Sequence, residues 1–221
     1  MRNRFVRWVF FLLIGVGIGA TIGYFDAQRE MKSGVIKASP DDALKRKPSR
    51  KKPKDFTTMA KDFGGEFTLV NQDGKTVTKD NFSDSYKLIF FGFAYCPEVC
   101  PTELMKMTLI LGDLKEDIST KITPMFISID PERDTPEHLK QYVQQFNPDM
   151  VGLTGTKEQI EAVKNSFRVY ASKVENEDME GYMMDHSSFM YLMDKDNKLV
   201  AMYSATDTAE DIADDIYARG L

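Results

Sequence analysis

The chain has only two cysteines, Cys96 and Cys100, and three residues separate them. Two neighbouring cysteines with none elsewhere are more typical of a reactive or metal-binding pair than of a scattered disulfide framework. Such a pair can act as a redox dithiol, as a metal clamp or as a small structural staple. The spacing alone leaves these three chemistries open.

Each cysteine is followed by a proline, Pro97 or Pro101. Because a residue before proline disfavours helical geometry, we expect both cysteines to lie outside the helix that follows. Pro101 suits the first position of that helix and Cys100 its N-cap, where the helix dipole favours a Cys100 thiolate. Cys96 is then expected in the preceding loop, and the pair suits either a disulfide or a soft metal.

A metal held by two cysteines needs a further ligand, and histidine is the natural donor. The chain contains two histidines. His138 lies beside the apolar stripe of a predicted helix, which indicates a surface or boundary position. His186 lies 86 positions after Cys100, and its spacing alone also indicates an ordinary surface residue. If His186 does bind metal, two thiolates and one imidazole form a soft donor set that suits copper.

Four residues near these candidates allow two interpretations each. Met183 and Met184 could lend a thioether to Cu(I), although packing is the simpler role for methionine. Asp185 could orient the His186 imidazole or could be an ordinary turn residue. Glu98, between the cysteines, could tune their charge or face a partner, or it could be a solvated loop residue.

The flanking sequence predicts alternating strands and helices. Asp73-Gly74 predicts a hairpin over residues 67–78, and continuous apolar runs predict buried strands over 87–93 and 122–129. Alternation predicts a further strand over 167–174. A late antiparallel hairpin is predicted over 189–203.

Four helices complete the predicted domain. Apolar residues at spacings of three and four predict a helix that follows the cysteines and continues to Ile118. Thr135-Pro136 opens the next helix, Thr156 begins a capping-box helix, and the last helix begins near Asp207. This order indicates an α/β fold, a thioredoxin-like mixed sheet with flanking helices.

The N-terminal quarter of the chain has a different composition. Residues 1–7 form a basic flank, and residues 8–25 form an uncharged apolar run that predicts one N-terminal transmembrane helix in preference to a cleaved signal peptide. Residues 26–54 are predicted to be a basic, flexible linker. The basic residues on both sides of the predicted span leave its orientation open.

Residues 55–221 form the predicted thioredoxin-like domain, and they carry 16 basic and 30 acidic residues. The resulting net charge of −14 argues against nucleic acid as a partner.

Several motifs in register resemble the Sco/SenC family of copper proteins. They are Phe91-Gly92-Phe93, Cys96-Pro97-Glu98-Val99-Cys100-Pro101, the run 126–136, Leu153-Thr154-Gly155-Thr156 and Asp185-His186-Ser187-Ser188. The resemblance implies a membrane-tethered thioredoxin-like domain that binds Cu(I) or Cu(II) through Cys96, Cys100 and His186. It places this domain in the bacterial periplasm, anchored to the inner membrane with the N-terminus inside, or alternatively in the mitochondrial intermembrane space.

The family's usual task implies a copper metallochaperone that assists assembly of the binuclear copper centre of cytochrome c oxidase. The expected partners are the copper-binding subunit of the oxidase and an upstream copper donor protein. The alternatives are a thiol–disulfide reductase that keeps the subunit's cysteines reduced, with Cys96 and Cys100 as its redox pair, and a copper or redox sensor. No other catalytic residue is expected. Asp130, Arg133 and Asp134 are expected to brace the strand-to-helix turn.

Three features, at four positions, depart from the family pattern. Glu98 stands where the family commonly has aspartate, Ala94 stands where it has threonine, and the Met183-Met184 pair is unusual. The first change keeps the negative charge and the second removes a hydroxyl near the cysteines. These departures bear on the tuning of the site.

Overall fold

The computed structural model describes residues 63–175 and 181–221. The strands are β1 (Thr68–Asn71), β2 (Thr76–Thr78), β3 (Tyr86–Gly92), β4 (Ile122–Ser128), β5 (Val151–Thr154), β6 (Ala171–Glu175), β7 (Tyr182–His186), β8 (Phe189–Met193) and β9 (Leu199–Ser204). The helices are α1 (Val99–Asp113), α2 (Glu116–Ser119), α3 (Pro136–Val143), α4 (Lys157–Ser166) and α5 (Ala209–Ala218), with a 3-10 turn at Lys79–Phe82.

Seven strands form one mixed sheet in the order β2-β1-β5-β4-β3-β8-β9. At its centre β3 pairs in parallel with β4 and antiparallel with β8, so that Phe90 lies opposite both Phe126 and Met190. Six consecutive residues of β3, from Lys87 to Gly92, are buried, which explains the continuous apolar run. Helix α1 packs on β3, β4 and α5, while α3 packs on β5 and α4 on β1. The predicted mixed sheet with flanking helices is confirmed.

The local signals at turns and helix starts are confirmed. Asp73-Gly74 joins β1 to β2, and Gly74 adopts the positive φ of 74° that this turn requires. Thr135 caps α3 by accepting a hydrogen bond from His138 N. Thr156 and Gln159 form the predicted capping box of α4.

The helix predicted to continue to Ile118 is divided into two. Helix α1 ends at Asp113, and Leu114 is extended with a ψ of 147°. Ile118 belongs instead to the short helix α2 and is buried separately. The periodic spacing of apolar residues therefore continues past the end of α1, although the helix itself does not.

The strand predicted over 167–174 is wrong in its first half. Phe167 ends α4, and Arg168 adopts a positive φ of 50° that turns the chain before β6. Phe167 is fully buried and packs against the rings of Phe91 and Tyr191. The buried residue at the end of the helix therefore contributed to the alternating apolar pattern that predicted a strand.

A second, two-stranded antiparallel sheet consists of β6 and β7. Strand β7 was not predicted, and it ends at His186. Most residues of the two strands are exposed or half-buried, whereas β3 and β4 are almost entirely buried.

The predicted flank (1–7), transmembrane helix (8–25) and linker (26–54) lie outside the described residues. Within residues 63–175 and 181–221, every helix is too short or too polar to cross a membrane.

Candidate metal centre

The cysteine loop connects the end of β3 to the start of α1. Cys96 is half-buried, and its backbone N–H donates to Phe93 O at 3.1 Å, which turns the chain after the strand. Cys100 is fully buried in the core. Both cysteines are free and are not joined in a disulfide.

Helix α1 begins earlier than the prolines predict. Val99 is its first residue, Glu98 is its N-cap, and Cys100 therefore lies inside the helix rather than at the cap. Pro101 is the third helical residue, where a backbone N–H has no partner within the helix in any case. The proline is consequently tolerated, and the prediction that Cys100 lies outside the helix is wrong.

The thiolate of the pair belongs to Cys96. Its sulfur accepts a hydrogen bond from the backbone N–H of Cys100 at 3.4 Å. The hydrogen bond from the Cys100 thiol is the largest cause that lowers the pKa of Cys96 to about 5, and backbone N–H groups of residues 98–100 lower it further against the effect of burial. The positive end of α1 thus stabilises Cys96, not Cys100.

Cys100 keeps its proton. The hydrogen bond to Cys96 raises the pKa of the Cys100 thiol far above its ordinary value, and burial raises it further. The sequence predicted a thiolate near the helix start but assigned it to the wrong cysteine, because the helix begins at Val99.

Gly92 makes room for the Cys100 sulfur. A Cβ atom on Gly92 would lie 2.7 Å from Cys100 Sγ and 2.9 Å from Phe126 Cε2. Contacts this short do not occur between such atoms, so the seat of the buried sulfur requires glycine at the end of β3.

His186, the last residue of β7, is the point at which the second sheet contacts the buried Cys100. Its Nε2 lies 3.6 Å from Cys100 Sγ, and its Nδ1 lies 3.0 Å from Ser187 O. Since a carbonyl oxygen only accepts hydrogen bonds, this contact assigns a ring proton to Nδ1 and makes Nε2 the ring nitrogen nearest the buried sulfur. The rings of Phe90 and Phe93 contact the imidazole edge-to-face.

The backbone carbonyl of Ser187 takes the orienting role that was considered for Asp185. Asp185 is exposed on β7, in agreement with its interpretation as an ordinary residue. Met183 and Met184 pack against the core, as the simpler interpretation of methionine expects. Glu98 is exposed at the helix start.

The candidate ligands are close together but do not form a finished cage. Among the residues that the structure describes, no three histidine, cysteine, aspartate or glutamate side chains are arranged as a metal-binding group. His138, the other histidine, contacts the Tyr95 ring at 4.9 Å between centroids and lies 3.7 Å from Asp134 Oδ1.

Asp130 and Arg133 do more than brace their own turn. Asp130 is buried and accepts hydrogen bonds from Arg133 Nε and from the Tyr182 hydroxyl, each at 2.6 Å. Arg133 Nη1 also donates to Tyr182 O at 2.9 Å, and its guanidinium lies 3.8 Å from the Tyr182 ring centroid. These contacts hold the start of β7 and thereby position His186.

Asp134 connects the same turn to the cysteine loop. Its buried carboxylate accepts hydrogen bonds from Ser128 Oγ at 2.6 Å and from Ala94 N at 3.1 Å. Burial raises the pKa of Asp134, while these two hydrogen bonds oppose the shift. The turn after β4 thus fixes both the cysteine loop and the histidine strand. The sequence signal is positional, because β3 and β4 are parallel neighbours and their carboxyl ends meet at one edge.

Comparisons with known proteins show which proteins the chain resembles. The sequence model described as SCO1/SenC matches residues 56–219. The mitochondrial protein SCO1 homolog 1 of Arabidopsis thaliana is 37% identical over 217 residues, which are 98% of this chain and 62% of that protein. The chain therefore spans about three fifths of the length of this curated relative.

Two solved structures share the fold. Arabidopsis thaliana ScoI with copper bound is 39% identical, with a TM-score of 0.68 over 72% of this chain and 98% of that one. BsSco is described as a Sco family member with a disulfide switch, in a family of cytochrome c oxidase assembly proteins. It is 28% identical, with a TM-score of 0.56 over 73% of this chain and 96% of that one. The predicted thioredoxin-like arrangement is thus confirmed.

Proposed function

Because the chain belongs to the SCO1/SenC family, we propose that it binds copper through Cys96, Cys100 and His186 and assists assembly of the copper centre of cytochrome c oxidase. The contact of 3.6 Å between His186 Nε2 and Cys100 Sγ carries this proposal, since it brings a distant histidine to the cysteine pair. The copper held by the Arabidopsis ScoI structure supports it.

The donor chemistry fits copper. Two sulfurs and one imidazole nitrogen are soft ligands, and thiolates favour Cu(I). The lowered pKa of Cys96 favours its thiolate, and in the neutral imidazole Nε2 can bind copper because Nδ1 donates to Ser187 O. Copper binding therefore has to displace one proton from the pair, the proton of Cys100.

Anaerobic copper titration of the full-length protein in mild detergent tests the ligand set. We expect one copper per chain, and we expect His186→Ala to lower the affinity by at least about tenfold, since loss of a partner of a ligand already costs 10–100-fold. His138→Ala is the matched control and should leave the affinity unchanged. Equal affinities for His186→Ala and the wild type would refute the proposed ligand set.

Delivery and location belong to the same proposal. Residues 8–25 would anchor the chain to the bacterial inner membrane, with the domain in the periplasm, or to the mitochondrial inner membrane facing the intermembrane space. The recipient would be the copper-binding subunit of the oxidase, with copper supplied by an upstream donor protein. Mixing the copper-loaded chain with the apo subunit should move copper without a change in free thiols.

A second candidate function, thiol–disulfide reduction, is favoured by the Cys96 thiolate. This thiolate would attack a disulfide of the acceptor, form a mixed disulfide and release one acceptor thiolate. Cys100 would then lose its proton and attack the Cys96 sulfur, which releases the second acceptor thiol and leaves a Cys96–Cys100 disulfide. The acceptor gains the two electrons that the pair loses. The disulfide switch described for BsSco supports this candidate.

The two candidates predict different effects of the same variant. His186→Ala should impair copper delivery and leave reduction of an acceptor disulfide intact. Failure of the wild type to exchange with the oxidase subunit's disulfide would exclude the reductase. A chain that binds copper, yet neither transfers it nor exchanges thiols, would instead be a copper sensor.

A further inference from the structure

The outward face of α1 lacks the charged residues that solvent-exposed helices normally carry. Between Val99 and Gly112 the helix contains only two charged residues, Glu103 and Lys106. Glu103 is buried, and Lys106 Nζ donates to its carboxylate at 2.8 Å and to Ala205 O at 2.9 Å. Both charges are thus paired within the fold, and the exposed positions of this stretch are all uncharged: Val99, Thr102, Met105, Leu109 and Gly112.

Exposed apolar side chains are concentrated on this side of the molecule. Of the six large apolar side chains that are exposed within the described residues, four lie on the cysteine loop or α1. They are Tyr95, Val99, Met105 and Leu109, with exposures of 52%, 43%, 48% and 56%. Exposed apolar side chains concentrated on one side of a molecule in this way are typical of an interaction site.

A groove of about 580 Å³ runs along this surface. It is lined by Pro101, Thr102, Met105, Lys106, Leu109, Phe146 and Ala209. The groove residue Pro101 directly follows the candidate ligand Cys100, and the exposed Val99 lies between the two cysteines. The apolar side of α1 therefore begins at the cysteine loop.

We infer that the α1 face, defined as Tyr95, Val99, Met105, Leu109 and the groove beside them, docks the protein that accepts copper from Cys96 and Cys100. This inference rests on the proposed function. Copper passes between proteins by ligand exchange, so the acceptor's ligands must reach the rim of the cysteine loop. An acceptor seated there would cover the α1 face and bury its apolar side chains.

The charge of the domain favours this occupant over two others. Residues 55–221 carry a net charge of −14, so a second copy of the chain or an anionic lipid surface would be repelled. The face itself contributes paired or neutral side chains only. The surface that complements this face is therefore itself mainly apolar.

The test measures docking separately from copper binding. Met105→Asp and Leu109→Asp are made in the full-length protein in detergent, with Val174→Asp as the matched control, because Val174 is 45% exposed on β6. The dissociation constant is measured against the immobilised apo copper-binding subunit of the oxidase. Copper transfer is then followed to that subunit and, separately, to a small Cu(I) chelator.

We expect each α1 variant to weaken docking and slow protein-to-protein transfer by about tenfold, the effect of removing a binding hot spot of about 1.4 kcal/mol. Transfer to the chelator should be unchanged, and Val174→Asp should behave like the wild type. Wild-type docking in both α1 variants, or equal weakening by Val174→Asp, would overturn the inference. A change in the oligomeric state of Leu109→Asp would also overturn it, in favour of a second copy.

Failure of the proposed function has a different signature. If the wild type bound no copper, transfer to the chelator would be absent while the docking constants still separated the variants. The milder changes Met105→Gln and Leu109→Gln give the same comparison should an aspartate variant fail to fold.

Discussion

The two halves of the candidate metal centre are built on different kinds of structure. Cys100 lies in the core, against the central strand β3, whereas His186 lies on the outlying sheet of β6 and β7. The buried Cys100 sulfur is fixed by packing, and the histidine strand is fixed mainly by polar contacts at Tyr182 and Ser187. In a site divided in this way, the cysteines and the candidate ligand His186 are held by different contacts, and the turn after β4 links the two halves.

The largest expected effect is the difference in reactivity between the two cysteines. Because the pKa of Cys96 is lowered to about 5, its thiolate population is nearly complete above pH 6. The rate of iodoacetamide alkylation at Cys96 should therefore be almost constant from pH 6 to 8, where an ordinary thiol gains about a hundredfold. Buried, protonated Cys100 should stay unmodified. Peptide mass spectrometry locates the modification.

The alkylation profile also tests whether the two halves are independent. His186→Ala should leave the pH profile of Cys96 unchanged, whereas Cys100→Ala should move it toward neutral pH by removing the thiol donor. A Cys96 rate that climbs tenfold per pH unit from pH 6 in the wild type would show that the thiolate assignment is wrong.

A second prediction concerns the packed half. Gly92→Ala places a methyl group 2.7 Å from Cys100 Sγ and should destabilise the protein by about 1–3 kcal/mol, as overpacked core substitutions do. Gly112→Ala is the matched control, because nothing lies within 4 Å of its Cβ position on α1. It should stabilise the helix by about 0.5–1 kcal/mol. Urea unfolding measures both, and a stable Gly92→Ala protein would contradict the assigned seat of the sulfur.

The sequence predicts the packed half better than the outlying one. The buried strands β3 and β4 and the capped helices α3 and α4 follow from local patterns of apolar residues and capping side chains. The start of α1 does not, because the rule for residues before proline is a preference that the first helical turn can override. The sequence therefore predicts a reactive cysteine pair but assigns the thiolate to Cys100 instead of Cys96.

The outlying half depends on contacts between distant residues. Strand β7 is short and lacks an alternating apolar pattern, and it is held by Asp130 and Arg133 from 49 or more positions away. Spacing alone makes His186 a weak candidate, and only the family resemblance predicts it as a ligand. A pattern of residues along one strand cannot indicate a hydrogen bond to another element.

A smaller effect is expected from Tyr182→Phe in the outlying half. Loss of the hydrogen bond to Asp130 should cost about 1 kcal/mol, because Asp130 keeps its ion pair with Arg133. Amide hydrogen exchange should accelerate in β6 and β7 and stay unchanged in α1. Tyr170→Phe is the control, since that exposed hydroxyl contacts only Ser172 Oγ at 2.9 Å among the contacts described. Equal acceleration in α1 would show that the two halves unfold together.

The smallest effect is expected where the outlying sheet meets solvent. Lys173 on β6 pairs with Glu132 and lies 4.3 Å above the Tyr182 ring, and both members of the pair are about half exposed. Exposed ion pairs contribute little and are screened by salt, so Lys173→Gln should leave urea unfolding unchanged. It should speed exchange of β6 and β7 amides at low salt, and this difference should vanish at high salt. Glu132→Gln should reproduce the result, and the double variant should add nothing to it if the two charges act as a pair. An additive double variant would instead show that Lys173 acts through its contact with Tyr182, which would make the aromatic ring the main anchor of the histidine strand.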